Sequence, residues 1–190
     1  MYLNLENSFY ILETLTIAAF AFSGMLLSRE KNFDPVGMTI ISFVTALGGG
    51  TFRDVVLGNY PIYWVSHSEF PLMIILLSLF VYFFIRRDIN TKWLIVLDAL
   101  GLALFSISSA QMGLSLELPL IIVAILATST ATFGGLIRDV LCNEVPMLFQ
   151  KSSLYGAASF SGVWLYILCL EYHIDRFVAT VFCVGQRHGP

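Results

Sequence analysis

The chain contains the same apolar segment twice, and this internal repeat restricts the fold more than any other feature of the sequence. Residues 12–64 and 97–149 align without a gap, and the second copy begins 85 residues after the first. The matched pairs include Glu13 with Asp98, Gly49 with Gly134, Gly50 with Gly135, Arg53 with Arg138, Asp54 with Asp139 and Pro61 with Pro146. A repeat of this length predicts a fold built from two similar units.

Composition places both copies in a lipid bilayer. The chain is 57% hydrophobic and 12% charged, with a mean hydropathy of +0.81, whereas soluble domains carry about 25% charged residues. The net charge of −3 is thinly spread and forms no basic stripe, which argues against nucleic acid as a partner. No catalytic motif and no cluster of metal ligands is recognisable, so the sequence predicts a protein that is not an enzyme and has no fixed metal.

The apolar runs predict an all-α membrane protein, because about 20 apolar residues suffice to cross the bilayer as a helix. The predicted helices are Ser8–Leu27, Pro35–Gly58, Phe70–Ile85, Trp93–Leu114, Leu118–Cys142, Ser152–Leu170 and Ile174–Gly185. The seventh run is too short to span alone and is expected to be an incomplete transmembrane helix. We expect the seven helices to form a single transmembrane domain over residues 1–190.

Basic residues between the runs predict the orientation of the chain. Those on one side are Arg29, Lys31, Arg86, Arg87, Lys92, Lys151 and Arg187, and Arg176 lies on the other. The positive-inside rule then places the N-terminus outside and the C-terminus in the cytoplasm of a prokaryotic cell. Since each repeat has three helices, repeat A (8–86) and repeat B (93–171) are inverted relative to each other, and a seventh helix (174–190) follows. Inverted repeats place transport sites near the bilayer midplane.

Glycine clusters occur midway along the second and fifth predicted helices, at Gly48–Gly50 and Gly134–Gly135. Each glycine costs an ordinary helix about 1 kcal/mol, and such a cluster permits a kink or a short unwound stretch. Backbone carbonyls freed in this way can coordinate a dehydrated cation in a pore. Close helix packing is the alternative explanation, because small residues let membrane helices approach each other.

Charged residues follow each glycine cluster, although an unpaired buried charge is very costly. Because neighbouring helix residues point about 100° apart, we expect that Arg53 and Asp54 do not simply satisfy one another. Glu13 and Asp98 lie at the corresponding depths on the first and fourth predicted helices. These positions predict two ion pairs, Glu13–Arg53 and Asp98–Arg138, one toward each mouth of a pathway.

Hydroxyl side chains surround the glycines and are candidates for the lining of that pathway. They are Thr45, Thr51, Thr128, Ser129, Thr130 and Thr132. The alternative is that each hydroxyl bonds back to the carbonyl four residues earlier in its own helix.

The two motifs GGGTFRDVVLGNYP and FGGLIRDVLCNEVP, in a chain of seven predicted helices, resemble the prokaryotic trimeric intracellular cation (TRIC) channels. This family is also described as a glycine-transporter domain. The resemblance covers essentially the whole chain. Phe133 takes the place of Gly48 in the second motif, so the two halves of a pore are not expected to be identical.

The resemblance implies a homotrimer in the lipid bilayer, with a potassium-preferring cation pore in each protomer. It implies that the glycine-kinked second and fifth helices line the pore and that Arg53 and Arg138 are gating or lipid-contact positions. It implies no cofactor other than permeant K⁺ or Na⁺ and a bound lipid. Two alternatives stay open: a secondary transporter of a small neutral substrate such as glycine, and a non-conducting scaffold.

Overall fold

The computed structural model describes residues 5–85, 92–150 and 155–171, and no β-strand occurs in these ranges. The helices are α1 (Leu5–Glu30), α2 (Pro35–Leu57), α3 (Tyr63–Ser66), α4 (Glu69–Phe84), α5 (Lys92–Ser115), α6 (Leu120–Leu141) and α7 (Tyr155–Glu171). A 3-10 turn at Met147–Phe149 lies between α6 and α7. The predicted all-α fold is confirmed. The predicted seventh transmembrane helix, 174–190, lies outside the described residues.

Six predicted helices correspond to α1, α2, α4, α5, α6 and α7, with small differences at their ends. The fifth was expected to begin at Leu118, but α6 begins at Leu120 because Pro119 occupies the N-cap with extended backbone. The short helix α3, between α2 and α4, was not predicted. A single helical turn of four residues is too short to produce a recognisable hydrophobic periodicity.

The ends of the helices are encoded locally, and the C-terminal end of α2 has a counterpart at α6. Asp34 caps α2 by accepting a hydrogen bond from the Gly37 amide at 2.7 Å, and Pro35 occupies the first turn. Gly58 ends α2 in the left-handed conformation at φ 66°, which is readily adopted by glycine. In the second copy, Asn143 takes this role with φ 55° after α6.

Four long helices form the centre of the fold. The helix pairs α1–α2, α1–α5, α5–α6 and α2–α6 are in contact, while α4 packs outside α1 and α2, and α7 outside α5 and α6. Helices α4 and α7 therefore occupy equivalent places, because α1 and α2 of the first repeat correspond to α5 and α6 of the second. The contacts of α2 with α6 run in opposite chain directions, because Gly49 meets Thr130 whereas Thr45 meets Gly134. This antiparallel exchange is the arrangement expected of inverted repeats.

The outer surface is apolar, as a lipid-facing surface must be. Its exposed side chains include Val36, Ile40, Leu72, Phe84, Ile121 and Ile125. The helical segments Phe9–Glu30, Pro35–Leu57, Trp93–Ser115 and Leu120–Leu141 are long and apolar enough to cross a membrane. Helix α4 is also apolar but shorter, with 16 residues. The chain is therefore an integral membrane protein.

Candidate functional site

The glycines of α2 and α6 lie where these two helices cross. A methyl group added to Gly49 would be 2.2 Å from the Thr130 carbonyl oxygen, and one added to Gly134 would be 2.2 Å from the Thr45 carbonyl oxygen. The two contacts correspond across the repeats. At these positions only glycine allows the backbones to approach so closely.

Both helices remain α-helical through their glycines, over Pro35–Leu57 and Leu120–Leu141. The unwound stretch that the sequence permitted is therefore absent from α2 and α6. The close approach of the two backbones agrees with the alternative explanation, helix packing. Gly48, Gly50 and Gly135 lie on the same uninterrupted helices.

The aromatic substitution in the second copy has a partner in the first. The Phe133 ring stacks on the Phe52 ring with centroids 4.5 Å apart, beside the glycine crossing. A methyl group on Gly48, the residue matched to Phe133, would lie 3.7 Å from the Gly134 Cα, which is ordinary contact. The two halves of the crossing therefore differ, as the sequence predicted.

The first cluster consists of Glu13, Arg53 and Asp54, all of which are buried. Arg53 Nη1 donates to Glu13 Oε1 at 2.5 Å, and Arg53 Nε donates to Asp54 Oδ1 at 3.0 Å. The Ser108 hydroxyl on α5 donates to the same Glu13 oxygen at 2.6 Å. The cluster therefore joins α1, α2 and α5.

The second cluster consists of Asp98, Arg138 and Asp139, which are also buried. Arg138 Nη1 and Nη2 donate to the two Asp98 oxygens at 2.5 and 2.7 Å, the bidentate geometry that arginine forms best. Arg138 Nε and Nη2 donate to Asp139 Oδ1 at 2.9 and 2.7 Å. The Ser23 hydroxyl donates to Asp98 Oδ1 and accepts from Arg138 Nη1.

The structure thus brings together both pairs expected from the sequence. The expectation that Arg53 and Asp54 do not satisfy one another is wrong, and Arg138 and Asp139 are paired in the same way. The 100° rotation separates the Cβ atoms, but the long arginine side chain bends back and brings Nε to the neighbouring carboxylate. Each cluster therefore has two carboxyl groups for one guanidinium group.

A loop closes each cluster through a backbone hydrogen bond. The Tyr63 amide donates to Asp54 Oδ2 at 2.8 Å, and the Met147 amide donates to Asp139 Oδ2 at 3.0 Å. Sequence reasoning missed these donors and the partners Ser23 and Ser108. The repeat itself was the available signal for the serines, because they too are 85 residues apart.

Two phenylalanines lie in the core between the clusters. Phe20 of α1 and Phe105 of α5 are fully buried, are matched by the repeat, and have ring centroids 5.9 Å apart. On α1, Phe20 lies between Glu13 of the first cluster and Ser23, which contacts the second. Ten helical residues separate Glu13 from Ser23, so the clusters are about 15 Å apart along α1.

The hydroxyls proposed to line a pathway mostly bond within their own helices. Thr45, Thr51, Thr128 and Thr132 donate to the carbonyls of Ile41, Leu47, Ala124 and Thr128, respectively. Thr51 also accepts from the indole of Trp64 at 3.0 Å. The buried Thr130 hydroxyl has no hydrogen-bond partner among the described residues, and Ser129 is half-buried.

Two titratable side chains near the ends of the helices have shifted pKa values. Burial, and then the Glu13 carboxylate, raise the pKa of Tyr63 on the short helix α3 to about 12. The exposed Lys31 ammonium forms an ion pair with Glu144, and this hydrogen bond raises the pKa of Lys31. No group of three or more metal-ligating side chains is present in the part of the chain that the structure describes.

Solved structures with the same fold are cation channels rather than enzymes. A TRIC channel orthologue from Rhodobacter sphaeroides is 29% identical with a TM-score of 0.87, and the match covers 93% of this chain and 91% of that chain. A prokaryotic TRIC channel solved in 0.5 M KCl is 30% identical with a TM-score of 0.86, covering 95% and 93% of the two chains.

Curated relatives are membrane proteins of bacteria. A UPF0126 membrane protein of Vibrio cholerae is 35% identical over 80% of this chain, and the match spans 64% of that relative's length. The UPF0126 inner membrane protein YadS of Escherichia coli is 34% identical over 80% of this chain and 74% of its own. The family model described as "Glycine transporter" matches residues 10–87 and 95–171. The chain therefore belongs to this glycine-transporter family, the family of the prokaryotic TRIC channels.

Proposed function

We propose that the protein is a monovalent cation channel of the bacterial inner membrane. The observation that carries the proposal is the pair of buried acidic clusters, each with two carboxyl groups for one guanidinium group. An excess of carboxylates inside a membrane protein favours cations along its interior and disfavours anions. The likeness to TRIC cation channels, at 29–32% identity, supports the same function.

The pathway that we propose lies in each protomer, along α2 and α6, with one cluster toward each mouth. The Phe20–Phe105 pair and the glycine crossing are closed between the clusters, so conduction requires these contacts to separate. Glycine suits such a movement because it carries no side chain that must be displaced. We propose that the hydroxyls of Ser129 and Thr130 line this pathway, because the buried Thr130 hydroxyl has no hydrogen-bond partner among the described residues and Ser129 is half-buried beside it.

The names of the relatives and the sequence support a proposal for the assembly, the ion preference and the orientation. The Rhodobacter sphaeroides orthologue is a trimeric channel, and we propose a homotrimer here, with K⁺ preferred and the N-terminus outside. We propose K⁺ or Na⁺ as the permeant ion and a bound lipid as the accessory molecule.

Purified protein in a planar bilayer with asymmetric KCl tests the proposal. Discrete unitary currents that reverse near the potassium equilibrium potential are the expected result. Replacing Asp98 and Glu13 together by Asn and Gln is expected to reduce the cation-to-anion permeability ratio. Currents that reverse at the chloride potential, or no currents from folded protein, contradict it.

A secondary transporter of a small neutral substrate is the second candidate. It is favoured by the description of the matching family model as a glycine transporter. Inverted repeats also occur in many transporters. Saturable uptake of glycine into proteoliposomes, without unitary currents in the bilayer, is the outcome that selects this candidate over the channel.

A further inference from the structure

The two arginines of the clusters are not equally satisfied. Arg138 uses Nε, Nη1 and Nη2 in hydrogen bonds to Asp98 and Asp139. Arg53 uses Nε and Nη1, but its Nη2 has no hydrogen-bond partner among the described residues, although the side chain is fully buried. A buried donor of a charged group without a partner is costly, and native structures usually supply one.

A small cavity adjoins this unpaired nitrogen. Its lining includes Glu13, Gly50, Arg53, Asp54 and Trp64, and its volume of about 10 Å³ is close to what one water molecule needs. Glu13 lines the same cavity, and its Oε2 accepts no described hydrogen bond, because both described bonds of the carboxylate end on Oε1. The cavity therefore combines an unused donor with an unused acceptor.

Gly50 lines this cavity beside the unpaired nitrogen of Arg53. A methyl group at Gly50 would lie 4.0 Å from Arg53 Nη2 and 3.4 Å from the Phe105 ring, so it would occupy the cavity side of the nitrogen without a severe clash. Gly50 thus has room for a methyl group, whereas a methyl group at Gly49 would clash with the backbone of α6 at the helix crossing.

We propose that one water molecule resides in this cavity, accepts a hydrogen bond from Arg53 Nη2 and donates one to the Glu13 carboxylate. Water can satisfy both the unused donor and the unused acceptor because it both accepts and donates hydrogen bonds. A cation at this place would be repelled by the nearby guanidinium group, and an anion would be repelled by the two carboxylates. The second cluster holds no equivalent water at its arginine, because Asp98 and Asp139 occupy the nitrogens of Arg138. This water site would be present whether or not the protein conducts ions.

A crystal structure of the full-length protein, grown in RbCl at a resolution that shows ordered water, tests this site. The expected result is one density peak within hydrogen-bonding distance of Arg53 Nη2 and Glu13, without anomalous signal, and none at Arg138. An empty cavity overturns the proposal, and so does an anomalous peak, which would identify a cation.

Two alanine variants of the same helix provide a second test. Gly50→Ala is expected to expel the water, whereas Gly48→Ala gains the same methyl group in ordinary contact with Gly134 and Ile137, away from the cavity. The thermal midpoint of Gly50→Ala should therefore fall below that of Gly48→Ala in the same detergent. A water that persists beside Arg53 in Gly50→Ala supports the water site and contradicts only the role of Gly50. Absence of that water from Gly48→Ala, with equal midpoints for the two variants, overturns the proposal.

Discussion

The two charged clusters have matched residues and yet differ in how completely they are bonded. In the second cluster a bidentate Asp98–Arg138 pair is reinforced by Ser23, which contacts both residues. In the first cluster Glu13 binds Arg53 through one oxygen, and Ser108 contacts only the glutamate. The repeat therefore preserves the positions of the charges but not their hydrogen bonds: Glu13, which has one methylene group more than Asp98, is bonded differently.

The difference divides the clusters into a rigid and an adjustable one. Bidentate arginine–carboxylate pairs fix both distance and orientation, so the second cluster holds α1, α5 and α6 in a single arrangement. The first cluster joins α1, α2 and α5 with fewer hydrogen bonds. We therefore expect changes at the second cluster to affect folding more, and changes at the first to affect the pathway more.

Removal of the arginine charge is expected to have the largest effect. Arg138→Met should destabilise the protein by about 3–5 kcal/mol, because it leaves two buried carboxylates without their cation. Arg53→Met should cost less, since the first cluster has fewer hydrogen bonds to lose. Thermal unfolding in detergent, followed by loss of helical circular dichroism, measures both. Methionine retains the length of the apolar stem in each variant, so packing is matched. A greater loss at Arg53 would reverse the comparison.

The glycine crossing, unlike the clusters, should respond equally in both halves. Gly49→Ala and Gly134→Ala each place a methyl group 2.2 Å from a backbone carbonyl oxygen. Overpacking of this kind costs about 1–3 kcal/mol. Gly48→Ala, on the same helix, has room for its methyl group and is the control. Thermal midpoints of the three variants test this, and a stable Gly49→Ala beside an unstable Gly134→Ala would contradict the symmetry.

The sequence predicted the helices and the positions of the charges because both depend on local periodicity and on the repeat. It did not predict the unequal bonding of Arg53 and Arg138. Glu13 and Asp98 align in the repeat as equivalent acids, and the alignment does not show how the extra methylene group of Glu13 changes the hydrogen bonds. It also misjudged Arg53 and Asp54, since helix geometry describes Cβ directions and not the reach of a long side chain. For Gly49 the sequence left two alternatives, an unwound stretch and a continuous helix closely packed on its neighbour. The choice between them depends on how closely α6 approaches, which the sequence does not show.

The serines provide a smaller test of the same inequality. Ser23→Ala removes a hydroxyl that contacts both Asp98 and Arg138, whereas Ser108→Ala removes a contact to Glu13 alone. A buried hydrogen bond contributes about 0.5–1.5 kcal/mol, so Ser23→Ala should cost more than Ser108→Ala. Urea unfolding of the two variants under one set of conditions measures the difference. If Ser108→Ala is the more destabilising, the first cluster is not the weaker one.

The smallest effect concerns the phenol of Tyr63, which has no counterpart at the second cluster, because the matched residue is Leu148. Burial and the Glu13 carboxylate raise the pKa of Tyr63 from its ordinary value of 10.0 to about 12. The folded protein therefore holds this proton more tightly than the unfolded chain. The stability contributed by the protonated Tyr63 phenol is therefore complete below pH 10 and is lost as the pH rises through about 12.

Phenolate absorbance measures this titration, with Tyr63→Phe subtracted to isolate the single residue. The expected midpoint is about 12 in the otherwise unchanged protein. Glu13→Gln should lower the midpoint, because it removes the carboxylate that opposes ionisation of the phenol. Asp98→Asn should leave it unchanged, since this residue belongs to the other cluster. A midpoint that moves with Asp98 and not with Glu13 would mean that Tyr63 does not sense the first cluster.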